Sequence, residues 1–351
     1  MQIKLPPAKH HRGAALILVL GVLSVMSILA VQIFDSAKSI TAHQTGLKDL
    51  QQSYWYAKAG EEYAKLESKK YVSQKYIPED KRQLFFPITD GNIAIDVTLM
   101  QDCFNLNSFS ERSAKQSPNR VAHDNANVPS ETENKNENTA KLIGVALKRQ
   151  QLSTLFGHFS ISSERSQFFS DRLIDWLDAD NIPVGNYGAE NTFYASEQPA
   201  LLTANQHLFS KAEMLSFLGE EHVDFSKAEK HLCARPGDNQ LQVNINQLNE
   251  NSAVLISAIL IDKVDAQQAK SIIEDRPQEG WASVDEFWQL PAFKDIEINT
   301  AQRKAFTVEN RYFQIETKVS YKNSKFSLIS LMRINEDKTV DVISRQYGVI
   351  S

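Results

Sequence analysis

Between residues 171 and 194 the chain reads DRLIDWLDADNIPVGNYGAENTFY, a stretch in which carboxylates crowd the end of a helical pattern and the loop after it. Asp178, Asp180 and Glu190, with Asn181, Asn191 and nearby backbone carbonyls, offer only oxygen donors. That donor set suits a hard divalent cation such as calcium, held as a structural ion. It is not an EF-hand, because a register started at Asp178 puts Ile182 at the third ligand position. The competing reading is a solvated acidic loop in which Asp178 and Asp180 cap turns, and composition alone favours neither. A pair such as Asp178 and Glu190 could also work as acid and base on a glycosidic bond. That chemistry needs an open cleft flanked by Trp176, Tyr187 and Tyr194, and no accompanying motif supports it.

The acidic loop must be positioned by the helical segments around it. Phe168, Phe169, Leu173, Ile174 and Leu177 fall at helical spacing within 166–178, and 141–156 behaves similarly. A second helical group covers about 244–307. Within it, VNINQLNENSAVLISAILIDKVDAQQAKSIIEDRPQEGWASVDEFWQLPAF (243–293) resembles a helix-hairpin-helix or SAM-like unit: a helix opened by asparagine, a turn, a helix to Arg276, then Gly280 and another helix. Phosphate-binding versions of this unit present glycine amides at the hairpin. Here the turn is LIDKVDAQQ, without glycine, and Asp262 and Asp265 would repel a phosphate. The net charge of −5 points the same way, so the unit reads as a packing or protein-contact module and not a nucleic-acid interface.

This helical segment interrupts a sheet. IAIDVTLMQ (93–101) alternates as a half-buried strand, and Phe313, Ile315, Thr317, Val319 and Tyr321 line one face of a strand that KFSLISLMRI and TVDVISRQY extend into an antiparallel meander. With the first strand before residue 102 and the others after 310, the intervening chain must be an insertion if they form one sheet. Its opening, 111–140, is rich in Asn, Ser and Glu and reads as a mobile loop. Gly-x-Ser-x-Gly, Walker and His-Glu-x-x-His patterns are absent from the sequence, and His158, His207, His222 and His231 are scattered. An enzyme therefore has little support.

The N-terminus decides the compartment. Lys4, Lys9, His10, His11 and Arg12 lead to Gly13, and AALILVLGVLSVMSILAVQI follows, about 20 residues with few polar interruptions. At about 1.5 Å per residue this run spans the ~30 Å hydrocarbon core of a bilayer. Positive charge before the span keeps that end in the cytoplasm. A secretory signal is cut after its apolar core, but here the small residue precedes the core. Cleavage at Gly13-Ala14 would leave the helix in place, as in type IV prepilins; an uncut signal anchor is the alternative. Residues 34–70 lack proline and keep helical spacing through Ala37, Ile40, Leu47, Leu50, Tyr54, Ala57 and Tyr63, so one helix from Ala14 to about Lys69 is expected. The topology places Cys103 and Cys233 in an oxidising compartment, where they form either one disulfide, worth roughly 4 to 5 kcal/mol for so long a loop, or two buried thiols.

Taken together, RGAALILVLGVLSVMSILA, QQSYWYAKAGEEYA, DCFNLNS, DWLDADNIPVGNYGAENTFY and LCARPGDNQLQVNINQL resemble the minor pseudopilin K family of the type II (general) secretion pathway along nearly the whole chain. The resemblance implies an α+β fold: a pilin-like N-terminal helix packed on an antiparallel sheet, with a large, mostly α-helical insertion. The implied divisions are 1–13 leader, 14–33 transmembrane helix, 34–110 stem and first strands, 111–140 loop, 141–307 insertion and 308–351 final strands. It associates calcium with the domain and is compatible with a Cys103–Cys233 disulfide. Counted from Ala14, the fifth residue is Leu18, where most pilins carry the glutamate that balances a neighbour's N-terminal amine. An apolar residue cannot do so, which points to the filament tip. The implied partners are the minor pseudopilins I and J, with H as a further candidate, the major pseudopilin, the prepilin peptidase and the inner-membrane assembly platform. A minor pilin of a type IV pilus and a membrane-anchored periplasmic hydrolase are the rival readings.

Overall fold

The computed structural model describes residues 12–71, 74, 76–78, 82–110 and 131–349. The expected leader, up to residue 11, and 111–130 of the expected loop lie outside the described residues. Helix α1 (Arg12–Tyr71) is a single helix of 60 residues, about 90 Å long. Its first third is apolar on every face and stays uncovered: the large apolar side chains from Leu16 to Phe34 are 49 % to 75 % exposed. The second half packs on a sheet through a stripe of small residues, Ser53, Ala57, Ala64 and Ser68, all buried. Gly60 continues that stripe, since a Cβ there would run into the side chains of Thr317 and Ile93.

Strands β1 (Gln83–Ile88) and β2 (Gly91–Leu99) form a hairpin. β3 (Phe104–Asn105) leads into the insertion, which contains α2 (Glu131–Gly157), α3 (Ser163–Leu177), α4 (Asn191–Tyr194), α5 (Met214–Leu218), β4 (Leu232–Cys233) and β5 (Val243–Asn244). It continues with α6 (Val254–Leu260), α7 (Ala266–Glu274), α8 (Val284–Trp288), α9 (Thr300–Lys304) and β6 (Phe306–Thr307). The chain then returns as β7 (Tyr312–Tyr321), β8 (Ser324–Ile334) and β9 (Val340–Val349). The main sheet has the order β1-β2-β7-β8-β9 with antiparallel neighbours. Ile93, Ile95, Val97, Phe313, Ile315, Val319, Phe326, Leu328 and Met332 face α1 and form one core. The insertion has its own core, around Phe104, Leu155, Phe156, Phe169, Leu173, Trp176, Ile256 and Trp281.

Where the chain leaves and re-enters the sheet, the two units are fastened by buried polar groups. The Gln101 carbonyl accepts from the Asn244 N–H (2.7 Å), and its side-chain oxygen accepts from the Arg311 N–H (2.5 Å). Fully buried Arg235 donates to the carbonyls of Met100, Gln240 and Gln242 and pairs with Asp238 at 2.9 Å. Beside it, Cys103 and Cys233 are joined as a disulfide, at the parallel pairing of β3 with β4.

Three expectations need correction. β1 was not anticipated, because QLFFPI lacks alternation and carries Pro87; as an edge strand it tolerates a residue that cannot donate. Residues 131–140 are helical, ten residues before the expected end of the loop. ETENKNENTA holds no glycine or proline, and its early glutamates favour a helix N-terminus. Residues 244–253 are not the first helix of the hairpin unit. Val243–Asn244 pairs in parallel with β6, and the Asn244 and Asn246 side chains turn the chain by accepting from the backbone N–H groups of Asn246 and Trp281. The hairpin itself is α6 and α7. Its left-handed residues are Ile261 and Asp262, and Asp262 faces His158, in the turn just after α2, at 3.0 Å.

Candidate metal centre

Helix α3 begins at Ser162, whose hydroxyl accepts from the Arg165 N–H. Phe169, Leu173, Trp176 and Leu177 project into the insertion core. Asp171 and Asp175, one turn apart and both fully buried, point toward the loop that follows. Asp178 ends the helix, its N–H donating to the Ile174 carbonyl at 2.9 Å. The loop folds back across these carboxylates. The Val184 N–H donates to Asp175 (3.0 Å) and the Tyr187 N–H to Asp171 (3.3 Å), which also pairs with Arg149. Gly185, with φ +66°, and Gly188 permit this approach, because a Cβ on either would overlap the carboxylate of Asp171 or Asp175.

The return of the loop brings Glu190 to α3. Asp175, Asp178 and Glu190 each offer a carboxylate oxygen within 4.8 Å of the others. Glu190 is 4 % exposed, and neither of its oxygens makes a well-formed hydrogen bond. Burial, reinforced by Asp175, Asp178 and Asp180, pushes its pKa up to about 7; the Asn191 N–H opposes this only weakly. Asp175 is raised to about 6, again by burial first and then by Asp171 and Asp180, with the Val184 and Ala189 N–H groups pulling the other way. Three carboxylates converge here, and no basic side chain contributes to either shift. The arrangement therefore favours protons or a cation, and all-oxygen donors fit a hard divalent ion.

Of the residues expected from sequence, Asp178 and Glu190 meet. Asp180 lies outside the group, its Oδ1 accepting from the Ile182 N–H at 2.8 Å, although its charge reaches both raised carboxylates. Asn191 spends its side chain on scaffolding: Oδ1 accepts from the Thr203 N–H and hydroxyl, and Nδ2 donates to Asn181. Asp175 was missed. Its signal was the spacing Asp171, Asp175, Asp178, which sets three carboxylates along one helix face. Trp176 and Tyr194 are core residues stacked edge-on at 5.3 Å, not walls of an open cleft, and the Tyr187 hydroxyl donates to Glu164. The aromatic cleft required for glycosidic chemistry is not built from these residues.

Models of the family described as "Type II secretion system (T2SS), protein K" match residues 102–237 and 243–309, together more than half of the chain. Type II secretion system protein K of Pectobacterium carotovorum subsp. carotovorum is 27 % identical, with 97 % of each chain covered. The protein of the same name from Klebsiella pneumoniae is 28 % identical over the same shares. The fold is similar to that of a chain in the crystal structure of the GspK-GspI-GspJ complex from the enterotoxigenic Escherichia coli Type 2 Secretion System. The TM-score is 0.69 at 22 % identity, covering 87 % of this chain and 99 % of that one.

Proposed function

Because the chain belongs to the type II secretion system protein K family, we propose that it is a non-enzymatic minor pseudopilin that caps the tip of the secretion pseudopilus. In that role it helps initiate assembly and so supports export of folded proteins across the outer membrane. The observation that carries this reading is the apolar third of α1. It is uncovered by the rest of the chain, and at Leu18, 69 % exposed, it offers no carboxylate. An internal subunit needs an acidic group there to offset a neighbour's buried amine, and a leucine leaves that charge uncompensated. An end subunit needs none, and the bulk of the insertion suits a position with nothing stacked above it.

In this reading α1 crosses the inner membrane once, with the N-terminus in the cytoplasm and the sheet and insertion in the periplasm, where the Cys103–Cys233 disulfide forms. The proposed partners are the counterparts of GspI and GspJ, with which the structural neighbour was crystallised, together with the major pseudopilin and the assembly platform. Prepilin peptidase cuts between Gly13 and Ala14. Asp175, Asp178 and Glu190 would hold a calcium ion, whose charge neutralises the carboxylates and ties the loop to α3.

Deleting the gene should leave normally exported enzymes trapped in the periplasm; normal export without this protein would end the reading. Mass spectrometry of the mature protein should find an N-terminus at Ala14, and an intact Met1 would contradict the processing.

A further inference from the structure

Within the insertion, a cavity of about 340 Å³ opens between α2, the segment 239–241 and the end of α9. Phe109, Val145, Leu241 and Ala305 give it apolar walls, and Lys148 and Lys304 give it charge. Among the described residues, no aspartate or glutamate lines it. Asp238, which adjoins the 239–241 wall, is taken by Arg235 at 2.9 Å.

The two lysines are not neutralised from within the molecule. Lys148 is half-buried on α2. Its Nζ donates to the Ser108 carbonyl, which satisfies one of the three donors of an ammonium. Burial lowers its pKa, and no carboxylate opposes that effect. Its neighbour Arg149 differs in this respect, being paired with Asp171. Lys304 is exposed at the end of α9 and makes no ion pair with a described residue. The cavity therefore combines apolar walls with a partly desolvated cation that lacks a counter-charge.

We infer that this cavity binds a carboxylate carried on a short apolar group, as in a free aliphatic acid or the C-terminus of a polypeptide that ends in an apolar residue. The carboxylate accepts from Lys148 Nζ in a charge-assisted hydrogen bond, with Lys304 as a second donor. The apolar group covers Phe109, Val145 and Leu241 and removes their surface from water. A neutral ligand of the same shape would leave the ammonium without a counter-charge, and a bare anion would leave the walls wet.

Gly144 supplies a way to close the site. It lines the cavity, and a Cβ there would meet nothing within 4 Å. A larger side chain at this helical position can enter the space without displacing backbone.

The test uses the full chain in detergent micelles and follows reductive methylation of individual lysines by peptide mass spectrometry. Hexanoate at about ten times its dissociation constant should slow labelling of Lys148 about tenfold, and labelling of exposed Lys325 on β8 should not change. Hexanamide and inorganic phosphate should give no protection. Gly144→Phe should abolish protection by hexanoate while the circular dichroism spectrum is unchanged, and Lys148→Met should abolish the protection of Lys304. Acetyl-Gly-Leu is the second probe: stronger protection by this peptide than by hexanoate assigns the site to a polypeptide terminus, weaker protection assigns it to a free acid, and either supports the inference. No protection by either probe at tens of millimolar, equal protection by hexanamide or by phosphate, or full protection of Lys148 in Gly144→Phe would overturn it.

Discussion

Two buried glutamates, Glu61 on α1 and Glu190 in the insertion, meet the cost of burial in opposite ways. Glu61 is fully buried between α1 and β9. Arg345 grips it with both Nε and Nη2, and Lys58 adds a contact at 2.6 Å. Burial acts against its charge, yet the hydrogen bonds from Arg345 and Lys58 hold its pKa below the ordinary carboxylate value. Glu190 is nearly as buried, has three carboxylates near it, and is raised to about 7. The sheet unit thus carries its own counter-charges and closes on itself, whereas the insertion leaves an electrostatic deficit that protons or a cation would relieve.

The largest expected effect comes from breaking the self-contained side. Arg345→Ala should cost about 2 to 3 kcal/mol in urea unfolding. That is below the ~3 to 5 kcal/mol for breaking a fully buried pair, because Lys58 remains and Arg345 is about one-third exposed. Adding Glu61→Gln should restore part of the loss. No recovery in the double variant would mean that Arg345 acts through packing and not through charge.

Next come the calcium-dependent terms. With calcium at about a hundred times its Kd, wild type should gain about 2.7 kcal/mol over its value in chelator. Glu190→Gln and Asp175→Asn should lose most of that gain, measured as the shift in thermal midpoint between calcium and chelator. Equal destabilisation in both media would remove the metal from the site.

The pH response should carry opposite signs in the two regions. A carboxylate with a lowered folded pKa contributes stability above its unfolded value near 4.5, and that stability is lost as the pH falls through the folded pKa; this is Glu61. A carboxylate with a raised folded pKa contributes stability that is present below about 4.5 and lost as the pH rises through about 7; this is Glu190 without calcium. In chelator, lowering the pH from 8 to 5 should therefore stabilise wild type relative to Glu190→Gln, by about 1 to 3 kcal/mol. A difference of the other sign would place a counter-charge beside Glu190. The smallest effect is reserved for Asp180→Asn, which should weaken calcium binding by no more than about threefold, since that carboxylate acts only through space.

Much of the frame was legible along the chain. The alternation in 313–321 and the 3.6-residue spacing through Leu173 and Leu177 are local periodicities that survive folding because each meets one buried face, and the apolar span from Ala14 is legible from composition and length alone. The boundaries that failed were those set by distant partners. β1 exists because β2 is beside it, and Val243–Asn244 is extended because β6 waits more than sixty residues later. The cluster of carboxylates was half legible. Asp178 and Glu190 stood out by composition, but Asp175 lay inside an apolar helical pattern and could be recognised only once the loop had returned.

The sequence by itself determined a membrane-length helix with no carboxylate at Leu18, a sheet split by an insertion, and two cysteines available for one bond. All of these follow from residue type and short-range spacing. Only the tertiary structure decided which carboxylates converge and which are neutralised. That choice depends on Gly185 and Gly188 letting a loop close over α3, and on Arg345 arriving from the far end of the chain, and a charge's partner is fixed by distance in space.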